Sequence, residues 1–367
     1  LTIFPFLNNV SEDNIYTLSD RNKLIVMKHH IIATSLLFLT LTACNLDKVK
    51  DDKVTRLAAE KNVKELIDAY IKKRPTFGTD QAAEALGNLG DKQAVEPLIA
   101  VLNTPVKSSA SSAEIKTHAA AAIALGKLKD TRAVKPLIAN VKHPNSLIAT
   151  AAKAGLKDIA SSNPQIVAQL LPAFKKDDAT AVAALSAIGK PALEPMLVAL
   201  KEPDGRTRTN AASVLADIGD PKAIAPLTKN LTDWASSPMV GTALEKLNWQ
   251  PVSDADKVHL LIAKSKGEEL RNSWEMTKSV LLKDLESKDP RTLYYALYSF
   301  ISIGGKDTTE TLVKVLKEEG NKDLALAYLN CGEPTLEKAA QDWATAKGYK
   351  VIKTKRKDQN VVKWGSF

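Results

Sequence analysis

The sequence predicts an all-α solenoid, a stack of helix pairs. Three observations carry that expectation: an internal repeat, a helical spacing of apolar residues inside each repeat, and turn residues placed between the helices. Composition agrees. Apolar residues make up 44% of the chain and aromatics only 5%. An alanine-rich interior with few rings suits thin layers of closely spaced helices, whereas a β-sandwich draws on more Val, Thr and aromatic residues. A chain of 367 residues would ordinarily divide into two or three globular domains, but a solenoid lengthens by adding repeats.

Taken in chain order, the first feature is a secretory signal. Met27 is followed by Lys28, His29 and His30, then by an apolar run over residues 31–42, then by Ala43-Cys44. A membrane-spanning helix needs roughly 20 apolar residues, so this run fits a signal core and not a span. The quartet Leu41-Thr42-Ala43-Cys44 resembles the bacterial lipobox. That resemblance implies cleavage before Cys44 and acylation of its sulfur and new amino group, and two or more fatty chains hold a protein stably at a bilayer. Residues 1–26 are expected to be a mis-called upstream extension, 27–43 the signal and 44–52 a tether. Asn45 after the lipidated position points, by resemblance to enterobacterial sorting, to the outer membrane, facing the periplasm of a bacterial envelope.

Beyond the tether a repeat unit recurs at steps of roughly 30 residues. Its first helix ends in an apolar pair three apart: Leu86/Leu89, Leu125/Leu128, Leu156/Ile159, Leu185/Ile188, Leu215/Ile218 and Leu244/Leu247. Its second helix carries an i, i+3, i+4, i+7 quartet, which sets four side chains on one stripe of a 3.6-residue helix. The quartets are Val95/Leu98/Ile99/Leu102, Val134/Leu137/Ile138/Val141, Val167/Leu170/Leu171/Phe174, Leu193/Met196/Leu197/Leu200 and Ile224/Leu227/Thr228/Leu231. Val63/Leu66/Ile67/Tyr70 reads as a capping copy before these, and Thr309/Leu312/Val313/Leu316 as a late copy after them. In Ile218-Gly219-Asp220-Pro221 the glycine suits a left-handed helix end, the aspartate caps the next helix and the proline suits its first turn. Gly90-Asp91 and Asp130 repeat the theme. Proline recurs early in the second helix at Pro97, Pro136, Pro195 and Pro226, where little helical hydrogen bonding is lost, and Gln169 takes that slot in a degenerate copy.

Three stretches depart from the pattern. Residues 103–114 lengthen one junction into a loop expected to be flexible. Residues 250–290 keep helical character at 257–264 and 274–285 but lose the strict repeat. Toward the end, 324–329 and 336–346 read as a terminal helix pair, and 349–354 with 361–364, separated by Lys357-Asp358-Gln359-Asn360, as a hairpin that finishes the stack. The solenoid is thus expected over 53–320 and a helical cap with hairpin over 321–367.

Ala85-Leu86-Gly87-Asn88-Leu89-Gly90-Asp91, followed by Ala94-Val95-Glu96-Pro97-Leu98-Ile99, resembles the HEAT-like repeats first associated with phycobilin (PBS) lyases. The resemblance covers about residues 53–320. It implies a right-handed superhelix of antiparallel pairs, armadillo-like in plan, with second helices lining the concave face and ends that need capping.

Chemistry is sparse by comparison. His118, His143 and His259 lie far apart and show no metal-ligand spacing, which reads as surface or helix-end histidines. HEAT-built deoxyhypusine hydroxylases hold iron with repeated His-Glu dipeptides; here Ala119, Pro144 and Leu260 follow the histidines. Asp51-Asp52 and Asp177-Asp178 sit at linker or helix-end positions, where capping accounts for them. Phosphate loops, nucleophile elbows and Cys-His constellations are missing from the sequence. Cys331 has no partner once Cys44 is acylated and reads as a small buried residue at a helix end. No catalytic residue, cofactor or metal is implied. A bilin-lyase-type enzyme is the catalytic alternative, yet those lyases serve cytoplasmic assemblies and would not carry a lipobox.

The formal charge is +9. Residues 1–43 hold as many acids as bases, so the excess lies in the body, and it admits anionic lipid, acidic protein or nucleic acid as partners. Export argues against nucleic acid. Lys142, Lys175, Lys176, Lys201 and Lys229 recur near second-helix ends, where cations complement the helix macrodipole or form a basic face for an anionic ligand. All five tryptophans lie in the second half. Trp234, Trp249 and Trp274, with Tyr294, Tyr295 and Tyr298, either fill an irregular interior or line a partner-binding surface, where such rings serve as anchors. The expected role is a membrane-anchored scaffold for protein–protein contact, its protein partner unidentified.

Overall fold

The computed structural model describes residues 52–72, 78–304, 307–356 and 359–364. Leu41, Thr42, Ala43 and Cys44, with the rest of residues 1–51, lie outside them. Among the described residues there are twenty α-helices and one two-stranded sheet. The helices fall into ten successive pairs. The first seven are α1 (Asp52–Ala59) with α2 (Val63–Leu66), which runs on as a π-helical turn at Ile67–Ile71, then α3 (Thr79–Leu89) with α4 (Val95–Asn103), α5 (Ser112–Leu128) with α6 (Val134–Asn140), α7 (Ser146–Ser162) with α8 (Ile166–Phe174), α9 (Ala179–Ile188) with α10 (Leu193–Ala199), α11 (Gly205–Ile218) with α12 (Ile224–Thr228), and α13 (Ser237–Lys246) with α14 (Asp254–Ala263). The last three are α15 (Gly267–Asn272) with α16 (Trp274–Leu285), α17 (Pro290–Ile303) with α18 (Thr308–Glu319), and α19 (Lys322–Leu329) with α20 (Pro334–Ala346).

Local chemistry explains the boundaries within a pair. α3 ends at Gly90 in the left-handed conformation, φ 75°, and Asp91 then accepts from the Gln93 amide at 2.8 Å. Gly219 and Asp220 do the same after α11. Between α5 and α6 the left-handed residue is Lys129, φ 52°, a conformation that costs a non-glycine residue about 1 kcal/mol or more. Second helices open with a 3-10 turn at Lys92–Ala94, Thr131–Ala133, Lys190–Ala192 and Pro221–Ala223. Pro97, Pro136, Pro195 and Pro226 follow that turn directly, in the first turn of the α-helix proper, so the ring is tolerated as the sequence suggested. In the degenerate copy a proline sits deeper, Pro172 inside α8.

The apolar stripes face inward with a regular grading. Val95, Leu98 and Leu102 are buried and Ile99 half-buried, and the copies at 134–141, 167–174 and 193–200 repeat that order. The i+4 residue lies at one edge of the stripe, which is why it keeps some exposure. First helices stack on first helices from α1 through α3, α5, α7, α9, α11 and α13. Their approach is set by small residues. A Cβ on Gly87 would lie 2.7 Å from Ala124 Cα, one on Gly126 would lie 2.6 Å from Gly155 Cα, and one on Gly155 would lie 2.6 Å from the Ala122 carbonyl oxygen. The glycine of the Ala-Leu-Gly motif is thus a packing residue, where one backbone rests on the next.

Several sequence expectations need correction. The junction after α4 is residues 104–111, shorter than 103–114, because Ser111 caps α5 by accepting from the Glu114 amide at 3.2 Å and draws 112–114 into the helix. The hairpin pairs Val351 with Trp364 through Arg356 with Gln359, so its connection is two residues and not four, the length that best matches strand twist. The expected terminal helix pair is present, as α19 and α20, and it continues the stack, with α19 packed on α17 and α20 on α18. Residues 250–290 hold more helix than expected, since α15 was not foreseen. The apolar interior is one cluster from Val54 through Leu244 to Ala263 and another from Leu281 to Ala340, with a small third, Val258, Leu270 and Ile303, between them.

Substituting Gly155→Ala tests the close approach. Alanine gains about 1 kcal/mol of helix propensity, yet its methyl would meet the Ala122 carbonyl, and overpacking costs about 1–3 kcal/mol. The expected outcome is a lower urea midpoint than wild type; an equal or higher midpoint would show that the helices can part without cost.

Candidate functional site

The break between the two apolar clusters coincides with a gap in the first-helix layer. α15, the first helix of the eighth pair, has 6 residues, against 10 in α13 and 14 in α17 on either side of it. A six-residue helix spans about 9 Å, too little to separate its neighbours along their whole length. A cleft of about 370 Å³ remains, bordered by the start of α13 (Ser237, Pro238), by α15 (Leu270, Arg271) and by Tyr295 and Ile303 of α17. Trp234 closes one side from the turn before α13.

That turn, residues 229–236, is held by a buried ion pair. Arg208 and Asp233 are 5% and 7% exposed at the side chain. Arg208 Nε donates to Asp233 Oδ2 at 2.7 Å and Nη2 donates to Oδ1 at 2.8 Å, while Nη1 donates to the Glu202 and Pro203 carbonyls at 2.8 and 2.7 Å. Ser236 Oγ donates to Asp233 Oδ2 as well. Burial pushes the Asp233 carboxyl up, but the Arg208 and Ser236 hydrogen bonds outweigh it, and its pKa falls below the usual carboxylate range. Gly205 lies beneath the turn, where a Cβ would come within 2.5 Å of Ala235 Cβ. Across the gap, the Thr232 and Thr292 hydroxyls share a hydrogen bond at 2.9 Å, so the turn is tied to α17, 60 residues on.

The aromatics gather on this frame. Trp234 meets Tyr295 edge-on with centroids 6.3 Å apart and Tyr298 at 5.8 Å, and Tyr294 stacks on Tyr298 at 6.2 Å. Tyr295 is 1% exposed, and its hydroxyl donates to the His259 carbonyl at 3.2 Å. Trp234 is 52% exposed. Burial raises the pKa of all three tyrosines, so their hydroxyls stay neutral donors through the physiological range. The other two sequence candidates are elsewhere: Trp249 packs on the first cluster, and Trp274, half-buried against the second, meets Phe300 edge-on at 5.7 Å. The rings therefore divide by exposure: Trp234 stands half-exposed at the cleft, while Trp249 and Trp274 pack against the apolar interior. Sequence reasoning missed Arg208, Asp233 and Arg271; an arginine inside a first helix with an aspartate 25 residues on is too weak a signal to find alone.

Two histidines depart from the expected surface or helix-end placement, His259 being 12% exposed at the side chain midway along α14. His118 is not at a surface or helix end: it is 2% exposed inside α5, with Nδ1 facing the Glu114 carbonyl at 2.9 Å and Nε2 facing the Thr104 carbonyl at 3.1 Å. It pins the start of the 104–111 loop. His259 Nε2 lies 2.7 Å from Asp284 Oδ2 and joins α14 to α16; neither residue borders the cleft. Asp178 caps α9, and Asp177 receives Arg206 at 3.0 Å and Asn210 at 2.7 Å. Lys175 is bound to Glu202 at 2.7 Å, which takes one cation out of the basic face. Cys331 is half-buried just past α19, its thiol donating to the Tyr328 carbonyl at 3.1 Å and its pKa raised by burial. Among the described residues no group of three or more His, Cys, Asp or Glu is placed to hold a metal ion.

Replacing Asp233→Asn should expose the frame's role. It leaves the buried Arg208 charge uncompensated, a change that costs about 3–5 kcal/mol, and the Trp234 fluorescence should shift toward that of a solvated indole. The wild-type pair also sets a pH dependence. A carboxyl whose folded pKa lies below its ordinary 3.8 contributes in full above that value and loses its contribution as pH falls through the lower one. Acid melts should fall more steeply in wild type than in the variant; parallel curves would show that the pair is not coupled to folding.

Residues 63–157 and 164–248 match the family model described as HEAT repeats. Among solved structures, an engineered protein of the Northeast Structural Genomics Consortium is 18% identical, the alignment covering 82% of this chain and 86% of that one, with a TM-score of 0.25. A second engineered protein from the same source is 20% identical over 68% of this chain and 95% of its own, with a TM-score of 0.19. Scores so low bear no weight, and the architecture rests on the helix pairs themselves. Curated proteins give no significant match. With successive pairs stacked first helix on first helix through both matched stretches, the described chain is an all-α solenoid whose residues 63–157 and 164–248 are HEAT-type repeats.

Proposed function

We propose that this chain is a lipid-anchored interaction scaffold of the bacterial cell envelope, held at Cys44 to the outer membrane on its periplasmic side, and that the Trp234 cleft is where a protein partner docks. One observation carries the docking site: a large ring, half-exposed, stands over Tyr295 and Tyr298 on a turn locked by a buried ion pair. Rigid, partly desolvated Trp and Tyr side chains are the usual anchors of protein interfaces, because they bury much area for little lost side-chain freedom. The anchor is supported by the lipobox-like Leu41-Thr42-Ala43-Cys44 behind a short apolar run. A scaffold role needs neither cofactor nor metal.

Two measurements test the two halves separately. Radiolabelled palmitate should enter the wild-type chain and not Cys44→Ser, and the variant should leave the membrane fraction; label in the variant would disprove acylation at that sulfur. A photoreactive p-benzoylphenylalanine at Pro238, beside the cleft, should crosslink to a defined protein in cells. Trp234→Ala should reduce that yield about tenfold, as loss of an interface anchor does. Unchanged crosslinking would move the docking surface elsewhere.

A further inference from the structure

The cleft is chemically lopsided. Ile262, Leu270 and Ile303 make an apolar floor, with Trp234 and Tyr295 as its wall. At the rim stands Arg271, exposed in the last turn of α15. Arg56, Arg132, Arg206, Arg208 and Arg291 each have a carboxylate partner. Arg271 has none among the described residues. Its guanidinium lies back over Gly267, where a Cβ would stand 3.3 Å from Nη1. The acids close to it in sequence form no ion pair with it: Glu269 is bound to Lys266 at 3.6 Å, and Glu268 and Glu275 are exposed and do not line the cleft.

A guanidinium with five donors and no carboxylate is a receptor for one, and its planar fork matches a carboxylate in bidentate fashion. The volume, about 370 Å³, is at the small end of ligand pockets, which run from about 300 to 1,000 Å³. That suits one large side chain of a longer molecule better than a whole cofactor. Outside the cleft the aromatic surface continues through Tyr298 to Tyr294, and the Ser265 and Ser302 side chains offer hydroxyls at the border. A chain with its own backbone polar groups would use both. We infer that the cleft takes a partner peptide in which a carboxylate adjoins a large apolar side chain, the carboxylate on Arg271 and the apolar group between Ile303 and Trp234. This rests on the reading of the cleft as the docking site.

The test presents the full chain with an array of nine-residue peptides that vary two adjacent positions, one acidic, amide or basic, the other aromatic, aliphatic or polar. Wild type should retain the peptides pairing Asp or Glu with Phe, Trp or Leu. By fluorescence anisotropy their affinity should fall about tenfold in Arg271→Met, the scale of a charge-assisted hydrogen bond, and recover in part in Arg271→Lys. The matching Asn and Gln peptides should bind wild type and Arg271→Met alike. Arg271 is exposed, so circular dichroism should show its variants fully helical. Retention indifferent to the acidic position, full affinity in Arg271→Met, or occupancy by dodecanoate and not by peptide would each overturn the inference. Crosslinking from Pro238 that persists without acidic preference removes this inference and leaves the docking site standing; loss of both removes both.

Discussion

The architecture depends on how closely one first helix can approach the next. Gly87 against Ala124, and Gly126 against Gly155, bring backbones to distances that no side chain would allow. Dispersion gained at that range, together with the apolar stripes of the second helices, is what a repeat gets from its neighbour and cannot supply for itself. Stability in such a stack is roughly a sum of nearest-neighbour terms, so an irregular pair is felt locally and does not unravel the whole.

The eighth pair is such an irregularity. With only 6 residues, α15 cannot fill the space that α13 and α17 define, and the interior splits there into two clusters. The molecule compensates with polar and aromatic contacts in place of aliphatic packing. Arg208 and Asp233 lock the turn, Thr232 reaches Thr292, and Trp234 leans on Tyr295 and Tyr298. A buried ion pair adds little net stability over a well-packed apolar substitute, but it specifies geometry. Here the geometry specified is the orientation of an exposed indole at the lip of a cleft. The same gap that weakens the core therefore produces the concave surface with the densest ring contacts in the described chain.

Polar groups elsewhere in the described chain are tied to the stack. Asp91, Asp130, Asp178 and Asp220 satisfy helix amides, and Asp130 is held to about 2 by the hydrogen bond from Arg132, against the opposing effect of burial. His118 spans two carbonyls to fix a loop. Their positions follow the repeat, and this periodicity is what separates a capping carboxylate from one that converges with others on a site.

Helix pairing, the capping turns and the inward face of each second helix were legible in the sequence, because all three are set within one repeat. The 3.6-residue spacing, Gly-Asp turns and early prolines act between residues a few positions apart, where pattern and structure are nearly the same thing. The folded chain alone decided which rings meet. Trp234 and Tyr295 lie 61 positions apart, and they meet beside α15, a first helix of only 6 residues; Trp274, 40 positions past Trp234, packs instead against Phe300. Such juxtapositions arise from the sum of packing across several helices, which no local spacing encodes.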